Sequence, residues 1–215
     1  MRREQLNSYV PYQSDHTNEL HQLMVSVSKH LLVTKAGRLK FQQKPMETKL
    51  SNLTQASKEH VVHYLIRDHF SGVFYAEIYS AFGLIPVEEF LFRAWSEKEN
   101  YPFCGAPEYI SIPKTVRDAF PAIDNLIDAY GIKAVQVTSG FQSGAIRDIK
   151  TWEHHICSEI RCEEELEFLK AWTPAVTAEK SSDLNGEYSG RQSKIYKWDY
   201  GIRGPIKLPP EDGWQ

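Results

Sequence analysis

Asp68 closes the run His60-Val-Val-His-Tyr-Leu-Ile-Arg-Asp68, and His69-Phe-Ser-Gly72 follows it at once. A carboxylate at that point can accept backbone N–H bonds inside a Ser-Gly turn, or it can ligate a metal ion. A second constellation, His154-His155-Ile-Cys157 with Cys162 beyond it, has the residue types of a zinc site. On a helix, His155 and Cys162 share one face two turns apart while His154 and Cys157 share another, so four ligands do not converge. Surface histidines and half-buried cysteines are the simpler expectation. Cys104 has no local partner motif for nucleophilic catalysis and reads as a packed thiol. No glycine-rich phosphate loop, nucleophile elbow or dinucleotide fingerprint appears. The remaining chemistry is basic: Lys35, Arg38, Lys40, Lys44, Lys49 and Lys58, with Glu47 the only acid before Glu59. Such a stretch is either a solvated linker or an arm that contacts phosphates.

The elements that position these residues follow from periodicity. Leu20, Leu23, Met24, Val27 and Leu31 form an amphipathic stripe that predicts a helix capped by Ser14 or Asp15 and stopped by Gly37. His60 to Asp68 is rich in β-branched residues with a near-continuous apolar centre, which predicts a strand buried on both faces. Val73 to Tyr79 is its antiparallel return, so 60–79 reads as a hairpin. Pro86 opens a helix to about Lys98 with Glu88 and Glu89 in its first turn. Pro107–Ile112 is a short strand, and a helical stretch broken at Pro121 runs on to Gly131. Ile132–Thr138 is a further short strand. A long helix then runs from about Ala145 to Ala171, and residues 177–193 read as a linker before an irregular tail. The predicted class is α/β, a mixed sheet covered by helices.

Tyr64-Leu-Ile-Arg-Asp68-His-Phe-Ser-Gly72 resembles the first-acid motif of the retroviral integrase and DDE transposase catalytic core, a family with an RNase H-like fold. The resemblance continues in order through Pro86–Trp95, Pro107-Glu-Tyr-Ile-Ser-Ile112, Gly131-Ile132 and Gln142-Ser-Gly-Ala-Ile146, over residues 58–160. It implies three carboxylates around two Mg²⁺ ions acting on a phosphodiester. Asp68 fills the first position. The second falls on Pro113 and the third on Arg147, so the resemblance implies a catalytically inactive relative that needs no metal. An active Mg²⁺-dependent enzyme would need Asp68 with Asp148 or Glu153 instead. Asp148 lies about 100° around the helix from the third position. The segment holding His16, His21 and His30 has no cysteine, so the family's His-His-Cys-Cys zinc module is not expected. Cores of this family dimerise, which implies a homodimer, with Val87, Phe90, Leu91 and Ala94 as the candidate face.

The expected organisation is an N-terminal helix and basic arm over 1–57, a core over 58–175 and a tail over 176–215. The net charge of −3 divides unevenly. Residues 1–58 hold nine Lys/Arg against four Asp/Glu, residues 59–186 eleven against twenty, and residues 187–215 five against four. An acidic middle is a poor match for DNA, so nucleic-acid contact is expected through Lys35, Arg38, Lys40, Lys44 and Lys49. A module that binds other proteins without nucleic acid is the remaining expectation. Three cysteines, no signal-peptide pattern and no long apolar run predict a cytoplasmic protein without a membrane span.

Overall fold

The structure is a computed structural model that describes residues 12–36, 39–99, 101–135, 140–162 and 194–210. Its centre is strand β1, Leu20–Val33. This corrects the helix expected over the same residues. A strand flanked on both sides in a covered sheet buries both of its faces, so apolar residues occupy both parities and imitate a helical stripe. Leu23, Val25 and Val27 join the core on one face, while Met24 and Leu31 pack on the other.

Six strands form one sheet in the order β4-β3-β1-β5-β6, with the short edge strand β2 (Leu39–Phe41) paired to the far end of β1. Strands β3 (Glu59–Asp68) and β4 (Phe74–Ser80) make the expected hairpin, in register from Arg67 opposite Phe74 to Val61 opposite Ser80. Strands β5 (Tyr109–Ser111) and β6 (Lys133–Val135) run parallel to β1. Pairing between β1 and β3 is interrupted: five steps on β1, from Val27 to Leu32, match two on β3, from Val62 to His60. The residues left over in β1 are tied locally, since Ser28 Oγ accepts from Leu31 N at 3.0 Å and Glu153 accepts from Lys29 N at 2.9 Å.

Helices α1 (Val87–Trp95), α2 (Lys114–Ala119) and α3 (Ile123–Tyr130) share one side of the sheet. Gly131 ends α3 in a left-handed cap at φ 62°, as expected of a glycine there. Helix α4, Ser143–Cys162, covers the other side through Ala145, Ile149, Trp152 and Ile156. The tail differs from the irregular arm expected. Lys194–Gly201 forms helix α5, which buries Trp198 at 1% exposure against Phe103. Thr17 N donates to Gly201 O at 3.0 Å, and a Cβ on Gly201 would lie 2.4 Å from Phe70 and from Thr17.

Two organisational expectations change with this topology. Residues 1–57 supply the central strand, so residue 58 marks no boundary within the sheet. The stretch 35–58 is no free linker, since it contains β2 and a 3₁₀ turn over Leu50–Gln55 that buries Leu53. The linker expected over 177–193, residues 1–11 and the last part of the long helix expected to reach Ala171 lie outside the described residues.

Candidate functional site

Successive side chains on a strand point to opposite faces of its sheet, and this sets the geometry around β3. Asp68 is wholly buried and paired in register with His21, on the side of α1. Its carboxylate accepts from Asn18 N at 3.0 Å, Ser71 N at 2.7 Å and Ser71 Oγ at 2.5 Å. Burial raises its pKa, against the opposing pull of those hydrogen bonds. His21 beside it is pushed down to about 3 by burial, so it is neutral at physiological pH and forms no ion pair with Asp68. Its Nδ1 accepts from Trp95 Nε1 at 3.3 Å, and its Nε2 bonds Asn18 Oδ1 at 2.9 Å. Asp68 therefore anchors the 69–72 turn, with Gly72 N closing onto Asp68 O at 3.0 Å.

Arg67, one residue earlier, faces α4. Its Nε donates to Asp148 Oδ2 at 2.8 Å and its Nη1 to Gln22 Oε1 at 2.8 Å. Lys194, at the start of α5, donates to Asp148 Oδ1 at 3.2 Å and lies 5.0 Å over the Phe74 ring. Burial lowers the Lys194 pKa while Asp148 pulls it back up. Gln22 Nε2 donates to Phe141 O at 2.8 Å, and Gln142 Nε2 donates to Ser111 Oγ. Gly144 leaves room for the guanidinium, since a Cβ there would lie 2.9 Å from Arg67 Cζ. The centre that forms here is an Arg67–Asp148–Lys194 ion-pair cluster bracketed by glutamine amides.

The first turns of α4 settle which residue points inward. Arg147 is exposed and Asp148 is 4% exposed, so Asp148 and not Arg147 meets the sheet. Glu153 reaches the sheet further along, where it accepts from Ser28 Oγ at 2.5 Å and Lys29 N at 2.9 Å, with His63 Nε2 3.8 Å away. Burial opposes its charge, but its His63, Ser28 and Lys29 neighbours more than offset this and hold its pKa at about 2. Pro113 caps the start of α2 and carries no donor for a metal. Asp68, Asp148 and Glu153 are thus held by three separate sets of partners, with Asp68 on the opposite face of the sheet from the other two.

A pair of Mg²⁺ ions does not fit the Asp148 cluster. Mg²⁺ needs carboxylate and water oxygens, whereas Asp148 is the one acid here among the described residues and its two oxygens are taken by Arg67 and Lys194. Among the described residues no group of three or more His, Cys, Asp or Glu is placed to hold a metal ion. His154 and Cys157 line a cleft with His30 and Phe41, and the side chain of Cys162 is outside the described residues. Cys104 is half-buried, and burial pushes its thiol pKa up.

Among the basic residues, Lys35, Lys40, Lys44 and Lys49 are exposed on one continuous stretch, and Arg38 lies outside the described residues. The candidate dimer face requires a correction. Val87, Phe90, Leu91 and Ala94 are each 0% exposed and pack into the α1–α3 core. The apolar stripe of α1 is spent on its own sheet. Gln22, Arg67, Ser111, Gln142 and Lys194 were missed from sequence. Arg67 carried a legible signal, because a charge inside a two-face-buried strand requires a partner.

No protein-family model matches the chain, and no curated protein matches it. Solved structures do. A chain of the simian T-cell lymphotropic virus intasome in complex with PP2A regulatory subunit B56 gamma is similar over 93% of this chain and 61% of that one, with TM-score 0.54 and 10% identity. The HTLV-2 integrase catalytic core domain in complex with magnesium, in its dimeric form, is similar over 85% of this chain and 97% of that one, with TM-score 0.48 and 12% identity. This chain therefore spans about three-fifths of the intasome chain. At 10% identity the likeness to the intasome chain establishes the fold alone: an RNase H-like α/β domain, a mixed six-stranded sheet with flanking helices.

Proposed function

We propose that this integrase-core-like domain is a non-catalytic, nucleic-acid-associated component of a DNA integration or transposition context, acting in the cytoplasm without a metal cofactor. The observation that carries the reading is the Arg67–Asp148–Lys194 cluster, in which two protein cations take the carboxylate oxygens that metal chemistry would require. The alternative of an active Mg²⁺-dependent enzyme using Asp68 with Asp148 or Glu153 asks for carboxylates on opposite faces of the sheet to act together. Contact with DNA would run through exposed Lys35, Lys40, Lys44 and Lys49, together with Arg38. A homodimer remains part of the proposal, through a surface other than the apolar stripe of α1. Among the described residues no helix is long and apolar enough to cross a membrane.

The test is to incubate the full chain with labelled DNA in Mg²⁺ and in Mn²⁺ and to read both cleavage and retention. The expected result is salt-dependent DNA binding without cleavage or strand transfer. Neutralising Lys35, Arg38, Lys40 and Lys44 should flatten the dependence of log K on log salt, by up to about 0.9 for each phosphate no longer neutralised. Metal-dependent cleavage abolished by Asp148→Asn overturns the non-catalytic reading. No binding at low salt removes the nucleic-acid half and leaves a protein-interaction module.

A further inference from the structure

The tail beyond α5 closes a cleft that neither the Asp148 cluster nor the basic stretch uses. Lys207 O accepts from Ala106 N at 2.7 Å, and Ile206 packs so closely on Gly105 that a Cβ there would meet it at 2.4 Å. Between this tail, residues 16–18 and the entry to β5 lies a cleft of about 330 Å³. That volume falls in the range of small-ligand sites, about 300–1,000 Å³.

Charge in the cleft is unbalanced. Lys133, Arg203 and Lys207 line it with Glu108 as the single acid among the described residues, and the Glu108 carboxylate lies 3.4 Å from His16 Nε2. Among the described residues no carboxylate lies within ion-pair distance of Lys133 or Arg203. Two of the cations are placed over aromatic rings: Lys133 sits 5.7 Å from the Tyr109 centroid and Lys207 5.7 Å from that of Tyr130. Lys207 Nζ also donates to Tyr130 O, at the carbonyl end of α3. Pro107, Ile202 and Pro205 give the cleft apolar walls. A concave site with apolar walls and a surplus of cations matches an organic anion better than a cation or a neutral molecule.

We propose that this cleft binds a phosphate ester, carried either by a free nucleoside phosphate or by a nucleic-acid backbone. Lys133 and Arg203 supply the charge, Lys207 is the fixed third cation, and the apolar walls receive the organic part. The site is independent of the basic stretch and of the proposed function.

The experiment titrates isotope-labelled full chain with inorganic phosphate, then with ATP, then with a short single-stranded DNA, following backbone amide resonances. Saturable shifts at Gly131, Lys133 and Gly204 are expected with phosphate. The exposed double variant Lys133→Glu/Arg203→Glu should weaken binding at least about tenfold while keeping the parent circular dichroism. Tighter binding of ATP than of DNA identifies the free nucleotide as the source, and the reverse identifies the backbone; either result supports the site. Unmoved resonances, or equal affinity in the double variant, overturn it. Binding that survives Lys133→Glu/Arg203→Glu but is abolished when Lys35, Arg38, Lys40 and Lys44 are neutralised overturns the cleft while leaving the proposed function intact.

Discussion

Asp148→Asn tests the ion-pair cluster through stability. In the parent, Asp148 is 6% exposed at its side chain, Arg67 12% and Lys194 32%, so the substitution leaves a buried and a half-buried cation facing each other without an anion. Removing one partner of a buried pair costs about 3–5 kcal/mol, because the other charge stays desolvated. Arg67 keeps its bond to Gln22, and Lys194 is exposed enough to turn toward water, which places the expected loss at about 2–3 kcal/mol. For a chain of this size that is about 5–10 °C in Tm. Urea denaturation followed by circular dichroism reads it directly. A triple variant, Asp148→Leu/Arg67→Met/Lys194→Met, should recover most of the loss, since apolar groups of similar volume replace a buried pair at little cost. A change within about 0.5 kcal/mol for Asp148→Asn, or a variant more stable than the parent, shows that the cluster does not depend on the Asp148 charge.

Three further outcomes follow from the same structure. Trp198→Ala empties a fully buried site that ties α5 to Phe103 and should cost about 3–5 kcal/mol by urea midpoint; a cost below about 1 kcal/mol shows that the tail does not stabilise the core. Glu153 has its carboxyl lowered from 4.5 to about 2 in the fold, so its stabilisation is full above pH 4.5 and is lost as pH falls toward 2. Glu153→Gln should therefore lower stability at neutral pH and flatten its loss across that window, and an unchanged acid limb counts against the Ser28–Lys29 anchorage. His21, depressed from 6.5 to about 3, stays neutral in the fold while the unfolded chain protonates, so it removes stability as pH drops below 6.5. Its ring protons should not titrate between pH 7 and 4 by NMR, and a midpoint near 6.5 contradicts its burial against Trp95.

The hairpin, α1, the Pro121 break and the Gly131 cap were legible because each is written locally, in β-branched runs and in Pro and Gly punctuation. β1 was not, because a strand covered on both faces lacks the period-2 signature and Leu20, Leu23, Met24, Val27 and Leu31 happen to satisfy a helical one. The sheet's centre therefore lies in a segment whose pattern resembles an arm, and Gln22 sits within it. Asp68 drew attention as the acid in a suggestive Ser-Gly context, yet alternation along β3 turns it away from α4 and presents Arg67 instead. Arg147 and Asp148 differ by one residue of register, which periodicity does not settle and packing does. Lys194 reaches Asp148 across a gap of 46 residues, a pairing no local pattern encodes.

Paramagnetic broadening by Mn²⁺ shows whether the Asp148 cluster holds a metal ion, because it reports any ion held near a given amide. The ion-pair cluster predicts that low concentrations of Mn²⁺ leave the amides of Gln22, Arg67 and Asp148 no more broadened than the rest of the surface. Selective, saturable broadening at those three amides, reversed by Mg²⁺ and lost in Asp148→Asn, would contradict it.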